Sequence, residues 1–381
     1  MWNYRITSVW GIPIRINVSL LVFLPVLAWL IGSGEQITIY TGIINGFTPS
    51  PLDAADLRAG NTPWLVGSLA AVGLFVSVAL HELGHSWAAR RYGIGVDSIT
   101  LWLLGGLANL ETIPREWQKE FWIAIAGPAA SVLVAAVAYG VVLVVPASLP
   151  VVTFVFGWLV VTNLVLTVFN LLPAFPMDGG RVLRALLARS QPYATATRTA
   201  ARVGALFALG FAILGVLSFS PLLLLLALFV YGGATSESRL VALDTLLDGV
   251  TAADVMATDT ERVTGDTTMA DLATRMVEEG RTTYLVTGDD GTVAGIVSVD
   301  DFKRSRGKAT SVEEAMDTNV PRITGETSLF DVYALMNRDR VNAAIVEADG
   351  DIQGVITSTE MTTALQIRRE AGSVAPPRTA M

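Results

Sequence analysis

The sequence predicts a polytopic α-helical membrane protein of about six transmembrane helices with a short membrane-associated β-hairpin, followed by a soluble α/β module. Its composition is that of a membrane protein, because 52% of the 381 residues are hydrophobic and only 16% are charged. Residues 1–248 contain 12 acidic and 13 basic residues, whereas residues 249–381 contain 22 acidic and 13 basic residues. Neither part has the basic field that nucleic-acid binding needs, so no nucleic-acid partner is expected.

Apolar runs predict the membrane crossings. The first run, Val18–Ile31, is followed by Gly-Ser-Gly-Glu and has no A-x-A-like cleavage site, which favours a retained span over a cleaved signal peptide. Residues 32–63 are polar and rich in Gly, Pro and Asp, so we expect an external loop there. The last two runs are short and need flanking polar residues to complete a crossing. The predicted crossings are Val18–Ile31, Trp64–Trp87, Phe121–Val145, Val151–Leu172, Val203–Leu217 and Leu222–Tyr231.

Residues 96–112 have a different pattern. Apolar residues alternate from Ile99 to Leu103, and a turn predicted at Gly105-Gly106 separates them from Leu107. This pattern is typical of a short β-hairpin, and the segment is too short to cross a bilayer as a helix. A hairpin on the protein surface and a hairpin that dips into the membrane both fit it.

Basic residues orient the membrane domain. Of the 13 basic residues before position 249, only Arg58 falls in a loop that six crossings place outside. Both chain ends, and the Arg90-Arg91 end of the second span, are then cytoplasmic. We therefore expect a multi-pass protein of the cell membrane whose soluble module faces the cytoplasm.

The second span carries the motif H-E-L-G-H at 81–85, and His81 and His85 are the only histidines of the chain. Their spacing places two imidazoles on one face of a helix, where neutral nitrogens can bind one zinc ion. Glu82 lies beside that position, where a general base for a zinc-bound water belongs. Two core histidines satisfied by hydrogen bonds would give the same pattern by chance, but ionisable groups in an uncharged apolar run are costly and usually functional.

A zinc site of this kind needs a third protein ligand, which leaves a fourth position for water or substrate. The chain has no further histidine and no cysteine, so carboxylates remain as candidates. Asp178 stands out because it follows a long apolar run in the segment N-L-L-P-A-F-P-M-D-G-G-R at 170–181, whose prolines and glycines stop the helix. An ordinary helix-ending turn that contains an aspartate would have the same sequence.

The H-E-L-G-H motif and the N-x-x-P-x-x-P-x-D-G-G pattern at 170–180 together resemble the site-2 proteases, a family of intramembrane zinc metalloproteases. The segment G-P-x-x-S at 127–131 and the Gly105-Gly106 pair support the resemblance, which covers most of residues 1–235. The resemblance implies one Zn²⁺ per chain, with water activated by Glu82 and the substrate or oxyanion steadied by Asn170. The zinc ligands that it implies are His81, His85 and Asp178.

The same resemblance implies that the β-hairpin dips into the membrane and that its edge, with Gly105 and Gly106, pairs with an unwound substrate by strand addition. The expected partners are the lipid bilayer and a membrane-anchored protein that is cut within or near its transmembrane segment. Two alternatives are a channel or transporter gated by the soluble module and a zinc-bound pseudoprotease that acts as a scaffold.

The soluble part is an internal repeat. T-G-D-T at 264–267 recurs as T-G-E-T at 324–327, and G-I-V-S-V-D-D at 295–301 recurs as G-V-I-T-S-T-E at 354–360. Each unit predicts a strand, a helix, two strands and a helix. The repeat resembles a tandem pair of CBS domains, which usually form one compact module. A homodimer in which two chains pair through their CBS domains is a further expected partner.

In that family, a Ser/Thr and acidic pair often contacts an adenine nucleotide. The resemblance makes Ser298 with Asp301, and Thr357 with Glu360, candidate binding residues for ATP, ADP or AMP, since a carboxylate can accept hydrogen bonds from two ribose hydroxyls. A capped helix that follows a strand explains the same residues.

The predicted function is an intramembrane zinc endopeptidase with regulation by adenine nucleotide at the CBS pair. The predicted domains are a transmembrane metalloprotease domain at 1–235, a linker at 236–248, CBS domain 1 at 249–308, CBS domain 2 at 309–370 and a flexible tail at 371–381.

Overall fold

The computed structural model describes residues 3–103, 105–110, 114–288, 291–305, 309–339 and 341–374, and the chain divides into two compact units, Met1–Arg239 and Leu240–Met381. The helices of the first unit are α1 (Val18–Ile31), α2 (Gly34–Asn45), α3 (Ala54–Leu57), α4 (Thr62–Arg91), α5 (Trp117–Val144), α6 (Pro150–Asn170), α7 (Asp178–Leu187), α8 (Tyr193–Leu217) and α9 (Pro221–Leu246), the last of which continues into the second unit. Its strands are β1 (Asn3–Val9), β2 (Ile12–Asn17), β3 (Val96–Trp102) and β4 (Gly105–Leu110).

The prediction of a polytopic helical membrane protein is confirmed. Among the described residues, α4, α5, α6, α8 and α9 are each long and apolar enough to cross a membrane. A sixth crossing requires α1 and α2 together, which are bent by 70° at a short break. The expectation that α1 alone forms the first span is wrong, because its 14 residues rise only about 21 Å against a hydrocarbon core of about 30 Å.

The external loop predicted at 32–63 is also wrong in part, since α2 and α3 lie within it. Ile37 and Ile44 of α2 are fully buried and pack in one cluster with Phe154 and Trp158 of α6. Their seven-residue spacing is a helical period that the neighbouring polar residues concealed. Burial of this face holds α2 on the helix bundle.

A four-stranded sheet in the order β1-β2-β3-β4 lies at the end of α4. The strands β1 and β2 were not predicted; β2 pairs in parallel with β3, and Arg90 at the end of α4 donates a hydrogen bond to the carbonyl of Trp10 between β1 and β2. The N-terminal strands and the end of α4 are therefore neighbours. Helices α1 to α3 must carry the chain from there to the start of α4, across the same thickness that α4 spans.

The predicted hairpin is confirmed as the antiparallel pair β3–β4. Gly105 and Gly106 lie in β4, however, and not in the turn, where we predicted them. At Gly106 the backbone of β4 lies directly against the Glu82 side chain of α4. Residues 104, 111 and 112 of the predicted segment lie outside the described residues.

The second unit repeats the predicted order of elements. Its first half contains β5 (Arg262–Thr264), α10 (Met269–Glu279), β6 (Thr283–Thr287), β7 (Val293–Ser298) and α11 (Val299–Ser305). Its second half contains α12 (Val312–Ala315), β8 (Arg322–Ile323), α13 (Leu329–Asp339), β9 (Ala343–Ala348), β10 (Asp351–Thr357) and α14 (Ser358–Val374). Each half forms a three-stranded sheet, in the orders β5-β6-β7 and β10-β9-β8.

The two halves of the second unit exchange their leading segments. Ala257, which precedes β5, forms a bridge with Val355 of β10, and Asp317, which precedes β8, forms a bridge with Ile296 of β7. A shared apolar cluster contains Leu285 and Ile296 from the first half and residues of β9 and β10 from the second. The repeat is therefore one folded module. Helix α9 runs through most of the segment predicted as a linker at 236–248.

Candidate metal centre and active site

Two elements deliver the candidate metal ligands. Helix α4 presents His81 and His85 one turn apart, and both are buried. Helix α6 ends at Asn170, and the proline-containing segment that follows leads the chain to α7, whose first residue is Asp178. The predicted helix-ending turn is present, and it places the Asp178 carboxylate against the two imidazoles.

The three side chains converge on one point. Asp178 Oδ2 lies 3.1 Å from His81 Nε2 and 3.2 Å from His85 Nε2, and the two Nε2 atoms are 3.2 Å apart. Each residue is less than 9% exposed. Among the described residues these three form the group of His and acidic side chains that could hold a metal ion.

Helix α5 orients both imidazole rings through hydrogen bonds at their Nδ1 atoms. The His85 Nδ1–H donates to the carbonyl of Ile123 at 2.7 Å, and His81 Nδ1 forms a hydrogen bond with Ser131 Oγ at 2.9 Å. A carbonyl can only accept, so this contact puts the proton of a neutral His85 on Nδ1 and leaves the Nε2 lone pair facing Asp178. Hydrogen bonds of this kind fix the tautomer and the ring plane of a metal-binding histidine.

Helix α5 approaches this closely because position 127 has no side chain. A Cβ atom at Gly127 would lie 2.2 Å from His85 Nε2 and 2.7 Å from His81 Nε2. Real Cβ atoms do not approach other atoms so closely, so any larger residue would displace the rings. Gly127 is therefore part of the site.

The donor set fits a zinc ion. Zinc–nitrogen bonds of about 2.0–2.1 Å in tetrahedral geometry put neighbouring ligand atoms about 3.3 Å apart, which matches the separations of 3.1 and 3.2 Å. The His85 Nε2 lone pair and the Asp178 carboxylate oxygen face each other at 3.2 Å, an arrangement that a cation between them stabilises. Two histidines and one carboxylate are also a donor set that zinc enzymes use, with the fourth position open.

A cavity of about 340 Å³ opens beside the three side chains and contains the other predicted residues. Glu82 and Asn170 line it, together with Gly105 and Gly106 of β4. A Cβ atom at Gly106 would lie 2.3 Å from Glu82 Cγ, so the backbone of β4 lies directly against the Glu82 side chain. The structure thus brings every residue predicted for the protease site into one cavity.

Four contributions to this site were not predicted from the sequence. The segment at 127–131 supported the resemblance, but no role was predicted for Gly127 or Ser131. The signal for Ser131 was a hydroxyl four residues after a helical glycine in an apolar run. The Ile123 carbonyl carries no such signal, since every residue has one. Arg181 also lines the cavity, and its position three residues after Asp178 could have suggested this.

The candidate nucleotide-binding residues sit where a strand ends and a helix begins in each half of the second unit. Asp301 Oδ2 accepts hydrogen bonds from the Ser298 backbone N–H at 2.7 Å and from the Ser298 hydroxyl at 2.6 Å. Glu360 Oε2 accepts the corresponding bonds from Thr357. These contacts are helix caps, which is the alternative interpretation of the same residues. Ser298 and Asp301 also line a small cavity of about 20 Å³.

Comparisons with known proteins agree with this geometry. The model of peptidase family M50 matches residues 69–211, and the CBS domain model matches residues 252–307 and 312–367. A zinc metalloprotease of Methanocaldococcus jannaschii is 32% identical over 371 residues, which cover 96% of this chain and 97% of that protein. Stage IV sporulation protein FB of Bacillus subtilis is 30% identical over 127 residues, 33% of this chain and 42% of that protein.

A solved structure is also similar. The site-2 protease from Methanocaldococcus jannaschii covers 62% of this chain and 96% of its own, with 34% identity and a TM-score of 0.41. Because the similarity to the archaeal metalloprotease extends over nearly the whole of both chains, the chain belongs to peptidase family M50, the site-2 protease family of membrane zinc metalloproteases, and carries two CBS domains.

Proposed function

We propose that this protein is an intramembrane zinc endopeptidase that cleaves a membrane-anchored protein within or near its transmembrane segment. The observation that carries the proposal is the convergence of His81, His85 and Asp178 on one point in a cavity that also contains Glu82. The cavity lies among helices of membrane-span type, so a substrate must reach it from the bilayer.

In the proposed mechanism His81, His85 and Asp178 would hold the zinc ion, which when bound supplies a Lewis acid that polarises the scissile carbonyl and acidifies water. Glu82 would accept a proton from the attacking water and return it to the amine of the leaving peptide, so that water is divided between the two products. The Asn170 side chain would donate a hydrogen bond to the substrate carbonyl oxygen as negative charge develops there.

Strand β4 would bind the substrate. It is an edge of the four-stranded sheet in the described part of the chain, and Gly105 and Gly106 line the cavity. A transmembrane helix has no free backbone groups for cleavage until it unwinds, and strand addition to β4 would satisfy those groups in a site with little water. The β4 backbone beside Glu82 would then present a substrate peptide bond to the base.

The orientation of the protein follows from its basic residues. Six crossings divide the loops of the membrane domain between the two sides of the membrane. Arg58 is the only basic residue before position 249 that falls in a loop on the external side. We therefore assign the end of α4 and the CBS module to the cytoplasm.

We also propose that the CBS module is the regulatory part, that it binds an adenine nucleotide near Asp301 or Glu360, and that it pairs two chains. A volume of about 20 Å³ at Ser298 and Asp301 holds about one water molecule, so binding would require the site to widen. Nucleotide can change proteolysis only if it binds two arrangements of the module with different affinity.

The test of the proteolytic function uses a single-span reporter protein with a tag at each end, reconstituted in liposomes with the purified protease. Cleavage should require added zinc, stop with a chelator, and be lost in Glu82→Gln, which removes the base but none of the proposed ligands. A Glu82→Gln protein that binds zinc and still cleaves at the normal rate would exclude Glu82 as the base. Failure of the wild-type protein to cleave any of a panel of such reporters would contradict the proposed substrate class.

A further inference from the structure

A buried ion cluster lies outside the cavity of the candidate metal centre. Arg184 of α7 is 2% exposed, and its Nε donates to Glu120 Oε1 of α5 at 2.7 Å. Its Nη1 donates to Glu237 Oε1 of α9 at 2.5 Å. Burial of a charge away from water is unfavourable unless an opposite charge lies close to it. Such a cluster in a membrane domain is therefore expected to have a role.

The guanidinium of Arg184 also contacts the segment that leads to Asp178. It lies over the ring of Phe175, with 5.0 Å between the guanidinium carbon and the ring centroid. Phe175 is three residues before Asp178 and is buried. Arg184 itself is six residues after Asp178 on the same helix, about 9 Å along its axis. Arg184 thus links the segment before the candidate zinc ligand, which it contacts at Phe175, with the helix that begins at that ligand.

Helix α5 connects this cluster to the histidines. Glu120, which binds Arg184, is one turn before Ile123, whose carbonyl holds His85. The imidazoles are thus fixed to α5 by Ile123 and Ser131, and α7 is fixed to α5 by the ion pair of Arg184 with Glu120. Both attachments lie on α5, so this helix connects the Arg184 cluster with the imidazoles that lie 3.1 and 3.2 Å from Asp178.

We propose that Arg184 is a positioning residue for the metal centre: its ion pairs with Glu120 and Glu237 hold α7 against α5 and α9 and thereby set the place of the Asp178 carboxylate. The inference rests on the proposed role of Asp178 as a zinc ligand. Arg184 does not line the cavity and contacts no candidate ligand among the described residues, so it acts only through the backbone of α7 and through Phe175.

The test compares Arg184→Met with Arg198→Met in the purified full-length protein. Arg198 is an exposed arginine on α8 and serves as the matched control. The measurements are the zinc Kd by chelator competition and the visible absorption spectrum of the Co²⁺-loaded protein, which reports coordination geometry. Loss of a group that contacts a metal ligand directly typically costs about 10–100-fold in metal affinity. Because Arg184 acts on Asp178 indirectly, we expect a rise at the lower end of that range in Arg184→Met, about tenfold, with an altered Co²⁺ spectrum and no change in Arg198→Met.

Arg184→Met leaves Glu120 buried without its partner and can therefore fail to fold. The double variant Glu120→Gln, Arg184→Met removes both buried charges, and it should fold with the same weakened zinc binding. Arg184→Lys keeps the charge but cannot bind both carboxylates in a fork, so its zinc Kd should lie between wild type and Arg184→Met.

A folded double variant with the zinc Kd and Co²⁺ spectrum of the wild type would overturn the proposal. Asp178→Ala distinguishes an error in the proposed ligand set from an error in the positioning role of Arg184. If Asp178→Ala binds zinc normally, the proposed ligand set is wrong; if it loses zinc while the Arg184 variants keep normal affinity, only the positioning role is wrong.

Discussion

Gly127→Ala tests the metal centre with the addition of one methyl group. The new Cβ would lie 2.2 Å from His85 Nε2 and 2.7 Å from His81 Nε2. Ordinary contact begins at 3.4 Å, so the His85 ring and α5 must separate by about 1.2 Å, whereas a metal site tolerates ligand displacements of only about 0.2 Å. We expect the zinc Kd to rise at least tenfold, since the contacts of α5 that orient the rings are lost as well.

The control for this variant is Gly140→Ala on the same helix. A Cβ at Gly140 would meet no atom within 4 Å. Both substitutions replace glycine by alanine in a helix, which favours the helix by roughly 0.8–1.0 kcal/mol, so a loss of zinc in Gly127→Ala cannot be a helix-propensity effect. The assay is zinc per chain after dialysis, followed by chelator competition, with thermal unfolding as the check on folding. Normal zinc affinity in a folded Gly127→Ala protein would refute the close approach of α5 to the imidazoles.

Three other predictions concern the site, the topology and the CBS module. Asp178→Ala should lose zinc and activity, whereas Asn170→Ala should keep zinc and lower only the cleavage rate; zinc content and initial rates distinguish them, and normal zinc binding in the first would exclude Asp178 as a ligand. The chain has no cysteine, so a cysteine at Ala59 should react with a membrane-impermeant reagent in intact cells and one at Ser236 only after permeabilisation, and the reverse result would invert the orientation. Asp301→Ala should weaken adenine-nucleotide binding by about 1–3 kcal/mol in calorimetry on the full-length protein, and an unchanged affinity would leave Asp301 as a helix cap alone.

The parts of the fold that the sequence predicted are those with a continuous local pattern. Long apolar runs mark α4, α5 and α6, because a bilayer requires about 20 apolar residues in succession. Repeated turn and strand motifs mark the CBS pair. Helix α2 escaped prediction because only Ile37, Ile44 and a few neighbours form its buried face. Strand β2 escaped because its pairing with β3 joins residues 85 positions apart, such as Ile14 and Ile99. Strand β1 pairs with β2 and escaped with it.

The candidate site also contains residues that the sequence predicts and residues that only the folded structure reveals. Its ligands could be predicted because zinc accepts few side-chain types, and this chain has only two histidines and no cysteine. The Ile123 carbonyl and the Arg184 cluster could not be predicted, because the first is a backbone atom and the second depends on the approach of α5, α7 and α9. Tertiary packing alone determines which of the many arginines in the first unit is buried.

Two glycines show how close packing connects fold and chemistry at this site. Gly127 lets α5 reach the imidazoles, and Gly106 lets β4 reach Glu82, in each case because a Cβ atom would occupy the space that the functional side chain fills. The second contact has a direct consequence for substrate binding. A peptide added to the edge of β4 continues the sheet at a strand spacing of about 4.8 Å, so its backbone lies one strand away from Gly106. Glu82 packs against Gly106 itself. The scissile bond of a peptide bound at that edge therefore lies next to the base only if the peptide pairs alongside Gly105 and Gly106. These are the two positions of β4 that have no side chain.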